Sequence, residues 1–203
     1  EVPEKYMKAK QWDFWEWWAG KAGLSKAVEK EGLTIGPPIS HETGWCLKLP
    51  SHRKRLLELL VLKKPKILFG APTCAPWSRA CTTMNPQLKT LIRAEELEVF
   101  EFWMQAADIQ YQENRDYLYE QPRSSELLNT PKALAHKDKT EAIDQHTCMC
   151  MHGLEDPESH KPYMKQTTLR GTIPLRKSIV WCNGKHEHEM INGSLKSGKL
   201  RTQ

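Results

Sequence analysis

Lys66-Ile67-Leu68-Phe69-Gly70-Ala71-Pro72-Thr73-Cys74-Ala75-Pro76-Trp77-Ser78 runs from a compact apolar segment straight into a loop bracketed by prolines. The apolar part predicts a buried strand. The prolines that follow fix φ and hold the Cys74 thiol in place instead of leaving it mobile. Just upstream, Lys63-Lys64-Pro65 closes a helix predicted over 52–62, with Leu56, Leu59, Leu60 and Leu62 inward and Arg53, Lys54 and Arg55 outward. Just downstream, residues 88–113 predict a long amphipathic helix, in which Leu88, Leu91, Ile92, Val99, Phe102, Trp103, Ala106 and Ile109 recur near helical spacing. Tyr117-Leu118-Tyr119 then reads as a strand that stops at Glu120-Gln121-Pro122.

The N-terminal part repeats the unit. Residues 12–18 carry four of the eight tryptophans and predict a buried strand, followed by a glycine-bearing turn at 19–23. Residues 24–31 predict a helix with Leu24, Ala27 and Val28 on one face and Gly32 as its stop. Leu33-Thr34-Ile35 predicts a short second strand, broken by Gly36-Pro37-Pro38. Strands alternating with helices across short turns argue for an α/β domain with a largely parallel sheet. In such sheets ligands sit beyond the carboxyl ends of the strands. The turn at 19–23, the loop at 72–78 and Glu120-Gln121-Pro122 all follow strands. Beyond residue 124 periodicity weakens, residues 164–172 and 178–182 predict two further strands, and the tail from 183 is polar with no core of its own.

Composition sets outer limits. A chain of 203 residues is one domain or one with a small appendage, and 39% hydrophobic with 27% charged residues excludes a disordered chain. No apolar run approaches the ~20 residues of a membrane span, and Glu1-Val2-Pro3 opens no signal region, so no membrane partner is expected and the compartment is expected to be nuclear or cytoplasmic. The six cysteines follow no disulfide framework, which points to reduced thiols available for metal or catalysis. The formal charge of +5 permits a nucleic-acid partner without requiring one. The chain lacks an initiator Met and its end at 200–203 reads like mid-sequence, so it is expected to be a piece of something larger.

Three constellations carry chemistry. In Trp18-Ala19-Gly20-Lys21-Ala22-Gly23-Leu24 the glycines let backbone approach a nucleotide-like ligand while the next helix offers its amides; the alternative is a plain tight turn. Cys74, beside a helix start, is a candidate nucleophile or a half-buried structural thiol. Glu120 sits on the same sheet edge, able to hydrogen-bond a substrate ring, or is a solvated loop acid. Finally, Cys148-x-Cys150-x-His152 and Cys182-x-x-x-His186-x-His188 bring thiolate and imidazole ligands to close spacing, which suits tetrahedral zinc. The preferred set is Cys150, Cys182, His186 and His188, with Cys148, His146 and His152 as replacements and a solvated tail as the alternative. Arg53, Lys54, Arg55, Lys63, Lys64, Lys66 and Arg79 are candidates to meet phosphates or ordinary solvated charges. Trp18 and Trp77, at strand ends, are candidate stacking residues.

Taken in order, Trp18-Ala19-Gly20-x-x-Gly23-Leu24, Ala71-Pro72-Thr73-Cys74-x-Pro76-Trp77-Ser78 and Glu120-Gln121-Pro122 resemble the motifs of cytosine-5 DNA methyltransferases over roughly residues 13–125. The Cys-x-Pro-Trp-Ser loop looks like the divergent methyltransferase-like domains of some retroelement and viral polyproteins. The resemblance implies a Rossmann-like methyltransferase fold, with residues 1–125 as the cofactor-binding and catalytic core. Residues 126–203 would add the remaining strands and a small Cys/His-rich, zinc-stapled extension. It implies S-adenosylmethionine as cofactor, held by Trp18, Ala19, Gly20, Gly23, Leu24, Ser40, Glu42 and Pro72, to which the Cys/His spacing adds zinc as a second candidate ligand of the protein. Cys74 would attack ring carbon 6 of cytosine and Glu120 would hold the pyrimidine edge while carbon 5 takes the methyl group. The implied partners are nucleic acid, DNA ahead of RNA, together with neighbouring polyprotein segments or a target-recognition partner.

The sequence departs from that family at Ala22, Thr73 and Gln121. Ser40 and Cys46 stand where the family places acids for the cofactor, with Glu42 close by. Lys165-Gln166-Thr167-Thr168 and Arg170 are stand-ins for its basic motif. These departures define a competing expectation, a catalytically degenerate, zinc-stapled nucleic-acid-binding domain.

Overall fold

In the computed structural model, which describes residues 2–78, 84–189 and 191, five strands form one mixed sheet flanked by helices. Strands β1 (Phe14–Trp17), β2 (Ile67–Gly70), β3 (Asp116–Pro122), β4 (Ile143–Cys148) and β5 (Gln166–Gly171) lie in the order β1-β2-β3-β5-β4. The first three pair in parallel, while β5 runs antiparallel to both its neighbours, so four strands share one direction. This is the α/β architecture expected from the alternating pattern, and one sheet draws strands from both sides of residue 125. Five helices accompany it among the described residues: α1 (Glu4–Met7), α2 (Gly23–Lys30), α3 (Pro50–Lys63), α4 (Pro86–Gln112) and α5 (Pro131–Lys139). None of them is long and apolar enough to cross a membrane.

The core is aromatic. Trp12, Trp15, Trp17 and Trp103 are fully buried, with Trp15 edge-on to Trp17 at 5.2 Å and Trp17 stacked on Phe102 at 5.4 Å. Such pairs contribute beyond their buried area, about 0.5–1.5 kcal/mol each. Gly70 is required beneath this cluster: a Cβ there would stand 2.8 Å from the Trp103 ring.

Several local expectations are corrected. Residues 33–35 form no strand; Ile35 makes a single bridge to Phe14, because Gly36-Pro37-Pro38 cannot sustain a ladder. Helix α2 buries Ser25 in place of an apolar stripe, and Leu24 is 39% exposed. Leu62, Leu88 and Leu91 face outward. For α4 the reason is length. Its 27 residues extend about 40 Å, whereas four-residue β2 spans about 13 Å, so the buried face begins only at Val99. The helix starts at Pro86 because the Asn85 side chain caps it, accepting from the Gln87 and Leu88 amides. Glu120, Gln121 and Pro122 continue β3 instead of ending it, paired with Leu169, Thr168 and Thr167 of β5. Residues 178–182 form no strand. They meet the edge of β4 with one backbone bond, from Cys148 N–H to Val180 O at 3.0 Å, and the rest of that contact goes through the Thr147 hydroxyl. Arg79, Cys81 and the tail at 192–203 lie outside the described residues.

Candidate active site and metal cluster

Register brings the three motif segments to one level of the sheet, two as chain exits and the third within β3. Trp17, Gly70 and Tyr119 lie side by side across β1, β2 and β3, so Trp18, Ala71 and Glu120 follow at the same level. Trp18 leaves β1 with φ +55°, a left-handed conformation that costs a bulky residue on the order of 1–3 kcal/mol. Its ring is held edge-on to Trp103 at 5.8 Å. Gly20 also takes a positive φ, +50°, which glycine adopts freely.

Beyond these exits is a cavity of about 280 Å³, near the lower end of the roughly 300–1,000 Å³ usual for ligand pockets. Trp18, Gly20, Ser40 and Glu42 line it, as do Ala71 and Thr73 from the loop after β2. Ser40 N–H donates to Thr43 Oγ1 at 3.0 Å, and the Ser40 hydroxyl reaches the Gly20 carbonyl at 3.4 Å. The Glu42 carboxyl is held below its ordinary range by its own backbone amide and the Ser40 hydroxyl. Ala19, Gly23, Leu24 and Pro72 do not line this cavity, and Cys46 turns elsewhere, its N–H donating to His52 Nδ1 at 2.9 Å. Sequence reasoning missed Trp45, Lys48 and Glu96; the Lys48–Glu96 pair, 3.5 Å, joins opposite walls from positions far apart in the chain.

The amides at the start of α2 are not all open to a ligand. Buried Glu16 sends Oε2 to the Ser25 N–H at 2.8 Å and to its hydroxyl at 2.5 Å, so the helix start is capped from inside the sheet.

The loop that carries Cys74 is fixed from three sides. Fully buried Gln121 donates from Nε2 to the Pro72 carbonyl at 2.6 Å while its Oε1 accepts the Ser125 hydroxyl at 2.8 Å. Arg93 donates from Nε to the Pro76 carbonyl at 2.8 Å and lies 5.1 Å over the Trp77 ring. The Trp77 and Ser78 amides both bond the Cys74 carbonyl. Trp77 is therefore buried and not open for stacking, and Cys74 is half-buried.

Cys74 opens on the far side of this loop into a second cleft of about 790 Å³, lined also by Pro122, Arg123, Asn129, Met164 and Lys165. Glu120 does not line this cleft; it pairs with the lining residue Lys165, Nζ to Oε1 at 3.1 Å. The cationic candidates on and after α3 do not line either cleft: Arg53 pairs with Glu98, Lys63 is buried against the Met7 and Ala9 carbonyls, and Lys66 pairs with Asp13. Arg170 is buried too, bidentate to Asp144 at 2.6 and 3.0 Å. Arg123 and Lys165 are the cations the second cleft uses.

Cys150, Cys182, His186 and His188 converge, with one ligand atom from each lying within 4.8 Å of all the others. Burial first, then the adjacent Cys182, pushes the Cys150 thiol up to about 11. The replacements are engaged elsewhere: His146 Nδ1 bonds Thr168 Oγ1 at 2.9 Å and His152 Nε2 bonds Thr147 Oγ1 at 2.7 Å. Cys148 is buried at the end of β4. Among the described cysteines no disulfide forms.

No protein-family model matches this chain, and no curated protein matches it in sequence. Among solved structures, the S. pombe Dnmt2 methyltransferase is similar at a TM-score of 0.43 and 9% identity, over 80% of this chain and 49% of that one. The chain thus spans about half the length of that structure.

Proposed function

We propose that this chain is the core of an S-adenosylmethionine-dependent methyltransferase that modifies cytosine at ring carbon 5, in DNA or RNA, through Cys74. One observation carries the reading. Two of the motif segments leave β1 and β2 at the level where Glu120 follows Tyr119 within β3, and the loop after β2 gives Thr73 to a cavity walled by Trp18 and Gly20 and Cys74 to a cleft walled by Arg123 and Lys165. Cofactor and target base would meet across that loop from opposite sides. The order of the motifs, which resembles that of cytosine-5 methyltransferases, supports the same assignment.

In this reading the Cys74 sulfur adds to ring carbon 6, which makes carbon 5 nucleophilic, and the cofactor supplies the methyl group. Loss of the carbon-5 proton and scission of the sulfur–carbon bond then restore the aromatic ring and the thiol. Covalent addition divides one difficult step into easier ones. Glu120 hydrogen-bonds the pyrimidine edge. Arg123 and Lys165 contact phosphates, which makes binding salt-dependent. The base must be single-stranded or flipped out, since carbon 6 cannot be reached within a stack.

A second reading, nucleic-acid binding without catalysis, is favoured by the cofactor side: Ser40, in place of a carboxylate, faces Gly20, and Glu16 caps the helix start. Two measurements test the proposal. Calorimetric titration of S-adenosylhomocysteine is expected to saturate and to be lost in Gly20→Trp, whose indole would enter the cavity. An oligonucleotide bearing 5-fluorocytosine, incubated with S-adenosylmethionine, is expected to trap a covalent adduct that Cys74→Ser abolishes. Absence of cofactor binding up to millimolar ligand refutes the enzyme. Binding without any adduct leaves the second reading.

A further inference from the structure

From 172 to 189 no side chain is buried, yet the segment follows a defined course along the edge of β4 and back to residues 162–163. Hydrophobic burial therefore does not hold it. Its contacts are polar instead: the Thr172 bonds to Tyr117 and Asp116, Gln145 Nε2 to the Ile173 carbonyl at 2.9 Å, Leu175 N–H to Gln145 Oε1 at 2.7 Å, the Val180–Thr147–Cys148 bonds, Glu189 N–H to the Pro162 carbonyl at 2.9 Å, and the exposed Lys161–Glu187 pair. Exposed pairs of that kind contribute about 0–1 kcal/mol. With no buried side chain from 181 to 189, this end of the segment is where a structural metal would act as a staple.

The Cys/His cluster has the dimensions of one. A tetrahedral zinc ion with Zn–S of about 2.3 Å and Zn–N of about 2.05 Å requires S···N edges near 3.5 Å and N···N edges of about 3.3 Å. Cys182 Sγ lies 3.7 Å from His186 Nε2 and 3.5 Å from His188 Nε2, and the two Nε2 atoms are 3.0 Å apart. No carboxylate takes part, so the donor set is two thiols and two imidazoles, which selects zinc over hard, oxygen-seeking cations. The Gly184 N–H points at Cys182 Sγ from 3.4 Å, the kind of outer contact that stabilises a metal-bound thiolate.

We propose that Cys150, Cys182, His186 and His188 form a closed structural Zn(II) site that clamps the segment 180–189 to the end of β4 and so steadies residues that line the second cleft. Four protein ligands fill the tetrahedron and leave no position for substrate or water, so the metal is structural and not catalytic. Cys150 lies in the 3-10 turn Met149–His152 that follows β4, and the other three ligands lie on the clamped segment. The link to the cleft is direct. Met149 N–H bonds the Lys165 carbonyl at 2.9 Å, Lys165 N–H bonds the Tyr163 carbonyl at 2.9 Å, and Arg123 lies 5.0 Å over the Trp181 ring. Fixing residues 149, 163 and 181 therefore fixes two cleft cations. The cavity by Trp18 and Gly20 shares none of these residues. The site stands independently of methyl transfer.

The test begins with metal content of the whole chain by native mass spectrometry. One zinc per chain is expected, lost in Cys182→Ser and in His188→Ala and retained in Cys148→Ser and His152→Ala. Cobalt substitution is expected to give the intense visible bands of tetrahedral Co(II) with thiolate charge transfer. Because a ligand variant can fail to fold, hydrogen exchange is also followed on the wild-type chain while zinc is removed with a chelator. Amides of Cys148, Tyr163, Lys165 and Glu189 are expected to lose protection, and those of β1 and β2 to keep it. Substoichiometric metal, an octahedral cobalt spectrum, or retention of zinc by Cys182→Ser overturns the site. Unchanged protection at 148–165 after the metal leaves overturns the clamp.

Discussion

Replacing Gln121 by alanine separates positioning of the nucleophile from binding of the cofactor. Gln121 is fully buried, and its amide spans from the Pro72 carbonyl to the Ser125 hydroxyl, itself at 0% exposure. Alanine removes both partners and leaves a buried carbonyl and a buried hydroxyl unsatisfied, each costing about 1–3 kcal/mol. The void adds on the order of 1 kcal/mol, partly relieved if water enters. The sum is about 3–7 kcal/mol, or roughly 10–20 °C in melting temperature for a chain of 203 residues. Gln121→Asn is informative because its amide stops about 1.5 Å short of the Pro72 carbonyl, one carbon–carbon bond length, and should lose that bond. Urea unfolding followed by tryptophan fluorescence gives the stability. Trapping on 5-fluorocytosine gives the rate at Cys74, and calorimetry gives affinity for S-adenosylhomocysteine. The expected pattern is a large loss of stability, slowed adduct formation and nearly unchanged cofactor affinity, since Gln121 does not line the first cavity. A Gln121→Ala protein within about 0.5 kcal/mol of wild type refutes the reasoning, because surface-like substitutions fall in that range. So does equal loss of cofactor binding and trapping.

Gly70→Ala drives a methyl group to 2.8 Å from the Trp103 ring and is expected to cost about 1–3 kcal/mol, measured as a lower urea midpoint; an unchanged midpoint means the indole moves freely. Asp13 is held at about 2, below its ordinary 3.8, by Lys66 first and then by Thr34. Its folded pKa is depressed, so the stability it contributes is complete above about pH 4 and disappears as pH falls toward 2. Asp13→Asn should flatten that acid limb in a series of unfolding curves, and an identical limb in the variant counts against the assignment. Burial alone would raise Asp144, but hydrogen bonds from Arg170 and Lys137 bring it below its ordinary value. Arg170→Met leaves Asp144 to Lys137 alone and the Leu128 carbonyl unsatisfied, at a cost of about 1–3 kcal/mol, and adding Asp144→Leu should recover part of it; a double variant no better than the single rejects the pair as the cause.

The alternation of strands and helices was legible because β1, β2 and the start of β3 are short apolar runs, and β1 and β2 end where a motif begins, whereas β3 runs on through its own motif. What sequence could not show is where the core stops. Leu88 and Leu91 carry helical spacing as good as that of Val99 and Trp103, but the sheet beneath them ends first. Helix α2 was readable as a helix and not in its packing, because its inner contact is a hydroxyl meeting the buried Glu16 carboxylate. The 178–182 segment has the composition of a strand, yet Thr147 supplies by its side chain what a ladder would supply by backbone. Spacing brought the Cys and His residues into consideration together. Preference for Cys150 over Cys148 depends on the turn after β4, and His146 and His152 are withdrawn by threonine partners that no spacing rule reveals.

The basic stand-ins along β5 divide in a way that bears on how the second cleft would work. Arg170, the strongest cation among them, is committed inside the protein to Asp144 and two carbonyls and cannot reach a phosphate. Lys165 and Thr167 instead converge on Glu120, at 3.1 and 3.4 Å. The Lys165 side chain is 32% exposed and that of Glu120 19%, so their pair contributes about 1 kcal/mol or less and separates at little cost. In the proposed reaction a phosphate entering beside Arg123 would offer Lys165 a second anion, and Lys165 turning toward it would uncover the Glu120 carboxylate. Grip on the nucleic-acid backbone and exposure of the group that meets the base would then not be separate events.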